Sequence, residues 1–184
     1  MNKNEVKNWY NKRLVILMMA GAVFMCFVEK ISPHPKYAKV FYHLGLESQK
    51  NNKITDAIYY FKKAIQFNPT FPLSYNQLGL IYQSLGNHRR AIEYFQKAIS
   101  SDPEFFEGFG NLGISYLNTG NNDKAIECLR TSVQHYMSYQ FWYYLGVAYV
   151  KGGYKKKALE IVSQFESQNQ AQLSDKLYDF LLHY

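Results

Sequence analysis

The chain has 184 residues, 47% of them hydrophobic, enough apolar side chain for one or two domains with a buried core, which excludes a disordered chain. Its two cysteines, Cys26 and Cys128, imply no disulfide framework and no thiol pair at metal-ligand spacing. The net charge of +7 is uneven: residues 1–37 carry +4, residues 38–71 carry +3 and residues 72–184 sum to zero, so the excess that would ordinarily point to nucleic acid or an acidic membrane sits beside one segment.

That segment follows a basic flank, residues 1–13, with Lys3, Lys7, Lys12 and Arg13. Residues 14–28, LVILMMAGAVFMCFV, hold no charge and no strong polar group. As a helix they would span roughly 22 Å against a hydrocarbon core of roughly 30 Å, which leaves signal peptide, membrane anchor and buried helix as readings of length alone. The small residues Ala20, Gly21 and Ala22 lie mid-run, a poor cleavage site, and Trp9 and Tyr10 stand where interfacial aromatics stand. A short, uncleaved transmembrane anchor that contacts membrane lipid is therefore expected. Cys26 follows Phe24 and Met25, which does not fit a lipoprotein processing site. Four cations precede the run and three (Lys30, Lys36, Lys39) follow it closely. This predicts a single-pass protein with a cytoplasmic N-terminus and an extracytoplasmic body, periplasmic in a double-membrane bacterium; a cytoplasmic or stromal body is the alternative. Residues 29–37, EKISPHPKY, read as a stiff extended linker because two prolines interrupt any helix.

From residue 38 the chain repeats. Gly45 in YHLGLES, Gly79 in NQLGLIY, Gly113 in GNLGISY and Gly146 in YYLGVAY recur at about 34 residues, and the units begin at Ala38, Pro72, Phe106 and Tyr139. Counting each first residue as position 1, a unit carries apolar or small residues at fixed positions, as in Tyr75, Leu78, Gly79, Tyr82, Ala91, Phe95, Ala98 and Pro103 of the second. Two apolar stripes at helical spacing, separated by polar stretches such as LGNHRR and NTGNNDK, make each unit a helix hairpin. Gly86, Gly120 and Asn52 mark the break between arms, and Pro69 and Pro103 end the second arm. Glycine costs a helix roughly 1 kcal/mol relative to alanine, so its recurrence implies a close approach of the two arms.

This pattern closely resembles the tetratricopeptide repeat family over residues 38 to about 166. The departures are Ser48, where an aromatic is usual, Met137, where the third unit lacks its proline, and Phe165, where a small residue is usual. The resemblance implies an all-α, right-handed solenoid of four hairpin repeats, residues 38–71, 72–105, 106–138 and 139–169, behind the single transmembrane helix. Residues 170–184, with Leu173, Leu177, Phe180 and Leu181 at helical spacing, read as a capping helix.

No catalytic constellation stands out, and neither an enzyme nor a cofactor is expected. GFGNLG, residues 108–113, matches G-x-G-x-x-G literally, but SSDPEFFE precedes it instead of a buried strand, and Gly113 belongs to the repeat. KGGYKKK, residues 151–157, lacks the spacing of a phosphate loop. The five histidines form no i, i+4 pair, and no metal site is expected, His135 with Cys128 lacking a third ligand. Lys62 and Lys63, Arg89 and Arg90, and Lys155 to Lys157 read as a solvated face; binding of RNA or anionic lipid through them is the alternative function.

On the first arm, positions 4, 7, 8 and 11 point into the hairpin, and the stripe at positions 2, 5, 9 and 12, with 6 beside it, faces elsewhere. The resemblance implies that these stripes line a concave groove for a segment of a partner protein. They comprise Tyr42, His43, Leu46 and Gln49; Asn76, Gln77, Leu80 and Gln83; Asn111, Ile114 and Asn118; and Tyr143, Tyr144 and Val147. Leu117 and Val150 share that face, and Leu117 and Val147 also suit an inter-repeat core. Family members that hold a C-terminal carboxylate do so with lysine and arginine chiefly at positions 5 and 9, where this chain has none. The expected function is a membrane-anchored interaction scaffold that binds a peptide or helix of a membrane-associated protein and aids assembly or transport of a complex. Nucleic acid is not the expected partner.

Overall fold

The computed structural model describes residues 35–184, which form nine helices and, among those residues, no strand. They are α1 (Pro35–Lys50), α2 (Ile54–Phe67), α3 (Pro72–Ser84), α4 (His88–Ser101), α5 (Phe106–Asn118), α6 (Asn122–His135), α7 (Tyr139–Lys151), α8 (Lys155–Ser167) and α9 (Ala171–His183). The described residues divide into two compact units, one ending at residue 69 and made of α1 and α2, the other residues 70–184 with α3 to α9. The first described unit is one hairpin. In the second, α3–α4, α5–α6 and α7–α8 are hairpins stacked in chain order, and α9 packs on both α8 and α7.

Each hairpin turn is built alike. Gly86 adopts φ +73°, a left-handed conformation open to glycine, and so lets the Asn87 N–H reach back to the Tyr82 carbonyl at 2.8 Å. Asn121 to Tyr116 (2.9 Å) and Tyr154 to Tyr149 (2.8 Å) repeat the bond. In the first hairpin Asn52, at φ +56°, takes the role, and Lys53 reaches Ser48 at 2.8 Å. The second arms stop where the chain turns extended before proline, at Asn68 and Asp102. α6 ends the same way at Tyr136 without a proline. α1 starts at Pro35, three residues before the first repeat position, because proline is compatible with the opening turn of a helix.

Within the hairpins a glycine faces a large side chain. A Cβ on Gly45 would stand under 3.0 Å from the Phe61 ring, one on Gly79 under 3.0 Å from Phe95, and one on Gly113 under 3.0 Å from Leu129. Phe61, Phe95 and Leu129 have no exposed surface. The fourth hairpin differs. Its equivalent of those large residues is Val162, and the place of Ala64, Ala98 and Ser132 is taken by Phe165, buried at 1% exposure. Gly146 instead receives Leu177 from α9. The bulk has moved within α8, and α9 supplies the side chain that the hairpin itself no longer supplies.

The sequence reading of a single-pass membrane protein with an extracytoplasmic solenoid is corrected here. Among the described residues no helix is long and apolar enough to cross a membrane. The segment 14–28, on which that reading rested, lies outside the described residues.

Gly79→Ala tests the close approach. Helix propensity alone favours alanine by about 1 kcal/mol, but the new methyl must displace the enclosed Phe95 ring, and overpacking of this kind costs about 1–3 kcal/mol. The urea midpoint followed by far-UV circular dichroism is expected to fall. A rise would show that Phe95 yields freely.

Candidate functional site

In the second unit, the first-arm helices α3, α5 and α7 border a groove of about 490 Å3. Leu80 and Gln83 come from α3, Glu107, Asn111, Ile114 and Asn118 from α5, and Gln140, Phe141 and Tyr144 from α7. His88, at the start of α4, and Tyr136 and Ser138, between α6 and α7, complete the rim.

Amide bonds set the floor. Asn111 donates from Nδ2 to Asn76 Oδ1 at 3.0 Å, and Asn76 donates in turn to Glu107 Oε1 at 3.4 Å. Gln83 donates to Ser115 Oγ at 3.0 Å, again tying α3 to α5. Asn76 is 1% exposed, so the bond from Asn111 is a condition of burying either amide. At the other wall, Gly110 leaves room for the Phe141 ring to lie against α5. Phe141 is further fixed by its N–H, which reaches Ser138 Oγ at 3.4 Å, and by Tyr136, whose ring centroid lies 5.9 Å away.

Of the residues singled out from sequence, Leu80, Gln83, Asn111, Ile114, Asn118 and Tyr144 meet in this groove. Asn76 lies beneath it, fully enclosed. Val147 belongs to the buried core with Leu117, Val150 and Ile114; Ile114, equally buried at 8% exposure, also borders the groove, and Val147 does not. Tyr143 turns toward α9, with Lys176 Nζ 5.1 Å from its ring centroid, and burial pushes its phenol above the usual range. Gln77 is half-buried outside the lining. Tyr42, His43, Leu46 and Gln49 belong to α1 of the first unit, where His43 is exposed and Tyr42 rests between His43 and Phe61, 5.7 Å from each ring. Sequence reasoning missed Glu107, His88, Tyr136, Ser138, Gln140 and Phe141. Glu107 stands at position 2 of the recognised stripe; Tyr136 and Ser138 lie in the connection that closes the third unit, which is one residue short.

Family models described as tetratricopeptide or TPR repeat match residues 50–86, 72–105, 94–127 and 111–171, together a continuous stretch from 50 to 171. The chain belongs to the tetratricopeptide repeat family. No curated protein matches it. Among solved structures, a crystal structure of MamA is similar at 21% identity and TM-score 0.63, covering 82% of this chain and 83% of that one. The Sgt2 TPR domain from Aspergillus fumigatus is similar at 18% identity and TM-score 0.62, covering 68% and 86%. The first TPR of Spaghetti (RPAP3), bound to the HSP90 peptide SRMEEVD, is similar at 15% identity and TM-score 0.59, covering 62% and 91%. At these identities the likeness is one of fold.

The tetratricopeptide frame accounts for the other motifs. All three glycines of GFGNLG lie inside α5, and each faces a side chain: Phe105 for Gly108, Phe141 for Gly110, Leu129 for Gly113. Helical backbone packed in this way is no phosphate cradle. His135 stacks on Phe106 with centroids 4.3 Å apart. Among the described residues no group of three or more His, Cys, Asp or Glu gathers to hold a metal ion. The second-arm cations recur in a structural role: Arg90 lies over Tyr82 and Lys124 over Tyr116 at 5.5 Å, and Lys157 over Tyr149 at 5.4 Å. Each pair joins the end of a first arm to the start of its second. In the first repeat the same positions are Ser48 and Asp56. Cys128 lies outside the groove, in a pocket of about 250 Å3 with Phe109, Leu112 and Tyr116. Burial, and secondarily the Glu127 carboxylate, push its thiol up to about 11.

Asn76→Ala is expected to destabilise the protein by about 1–3 kcal/mol, since it orphans the buried Asn111 donor. Asn118→Ala, at an exposed position, is expected to stay within about 0.5 kcal/mol; urea unfolding measures both. In a Cys26→Ser background, a disulfide reagent at pH 8 is expected to react with Cys128 about a hundred-fold more slowly in the folded chain than in urea, because the raised pKa withholds the thiolate. Equal rates would show an accessible, ordinary thiol.

Proposed function

We propose that this protein is an interaction scaffold that holds an extended or helical segment of a partner protein in the groove of α3, α5 and α7, aiding assembly or transport of a complex and acting without chemistry of its own. The observation that carries this reading is the convergence of Leu80, Asn111, Ile114, Asn118 and Tyr144 from three consecutive first arms on one groove. The half-buried Leu80 and Tyr144, over the largely buried Ile114 and Phe141, offer apolar and aromatic contact, and Asn118 and Gln140 offer both donors and acceptors to a peptide backbone. The walls are braced from behind by the Asn76–Asn111 and Gln83–Ser115 bonds, so little ordering is left to be done on binding. The Spaghetti domain's structure holds an acidic peptide, SRMEEVD. Among the described residues no lysine or arginine lines the groove of this chain, which argues for a different class of segment.

The test is site-specific photocross-linking in source cells, with benzoylphenylalanine at position 118, in the groove, or at position 134, exposed on α6 and outside it. Covalent adducts to a partner protein are expected from position 118 and absent from 134. Adducts from 134 alone would move the interface to the second arms and overturn this reading.

A further inference from the structure

We propose that the segment held in this groove presents a basic side chain, lysine or arginine, to Glu107; this rests on the reading of the groove as a partner site. Among the described residues Glu107 is the only Asp or Glu lining the groove, and no Lys or Arg lines it. Its carboxylate is half-buried and held from below: Asn76 donates to Oε1 at 3.4 Å, and Asn76 is itself clamped by Asn111 at 3.0 Å. A single long amide bond does not replace the water that a seated segment would strip from a carboxylate. Covering that charge without a cation is unfavourable, and covering it with a second acid more so. A lysine or arginine on the segment resolves the conflict with a charge-assisted hydrogen bond.

The walls suit such a residue. Leu80 and Ile114, against which its methylene stem would pack, and the aromatic residues Tyr136 and Tyr144 line the same groove as Glu107. The chain already packs cations on tyrosines in this manner, with Arg90 over Tyr82 and Lys124 over Tyr116 at 5.5 Å. Glu107 lies in the first turn of α5, at the end of the helix that favours an acidic side chain.

The experiment is selection of a displayed random dodecapeptide library on the full chain, repeated with Glu107→Lys, Glu107→Gln and Leu80→Glu. The wild-type pool is expected to enrich Lys and Arg over Asp and Glu about ten-fold beside an aromatic or aliphatic residue. Glu107→Lys should invert that preference, and Glu107→Gln, which keeps the shape, should abolish it. A wild-type pool that is lost on Leu80→Glu but shows no basic bias overturns this inference and leaves the groove reading standing. A pool unchanged by both Leu80→Glu and Glu107→Lys, or no pool at all, overturns both. Self-association of the wild type in sedimentation velocity, abolished by Glu107→Lys, would make a second copy of the chain the occupant and likewise overturn the proposal of a separate partner.

Discussion

The close approach of glycine to a large apolar side chain, between the two arms in the first three hairpins, is the contact from which the rest of this structure follows. Glycine inside a helix costs about 1 kcal/mol, whereas fully burying a phenylalanine or leucine stabilises by about 1.5–3 kcal/mol, so burial wins. The fourth hairpin shows that the constraint is on the contact and not on the partner. With Val162 too small and Phe165 too large for the usual arrangement, Gly146 takes Leu177 of α9 instead. The last helix is thereby tied into the core by the same kind of contact that joins the arms elsewhere.

Once the second arm occupies one side of the first, the opposite side of α3, α5 and α7 is left to form a wall. Its polar residues divide into two sets with different work. Asn76 and Ser115 are buried and spend their hydrogen bonds on neighbouring helices, setting the spacing of the first arms. Asn118 and Gln140 remain exposed on the groove. Gly110 extends the glycine device to contacts between repeats, letting Phe141 enter where a side chain at that position would have filled the wall.

Charge is arranged with similar economy in the second unit, where acids and bases balance over residues 72–184. Arg90, Lys124 and Lys157 cover tyrosine rings at the hairpin ends, which gives the basic clusters a packing role beyond solvation. Among the described residues the groove is left with a lone carboxylate, Glu107, and no lysine or arginine. Its electrostatic character is thus opposite to that of a site built to hold an acidic tail.

The period of the repeat, the hairpin breaks at Gly86, Gly120 and Asn52, and the close approach of the two arms at the recurring glycine were legible in the sequence, because each is a local demand of backbone conformation or of helical spacing; that the glycine meets a large side chain was not. So was the face of the first arm that carries Leu80, Ile114 and Asn118, since helical periodicity alone separates it from the core face. Which members of that face reach the groove was decided by tertiary packing. Asn76 and Val147 share the stripe but are covered by adjoining helices, and Tyr143 is drawn toward Lys176 of α9. Tyr136, Ser138 and His88 enter the groove from connections and a second-arm start, whose path depends on how successive hairpins stack and not on any period along the chain. The move of bulk from position to position in α8 is readable residue by residue, yet its consequence, Leu177 seated on Gly146, exists only when three helices are brought together, because a cavity has no sequence until its walls are assembled.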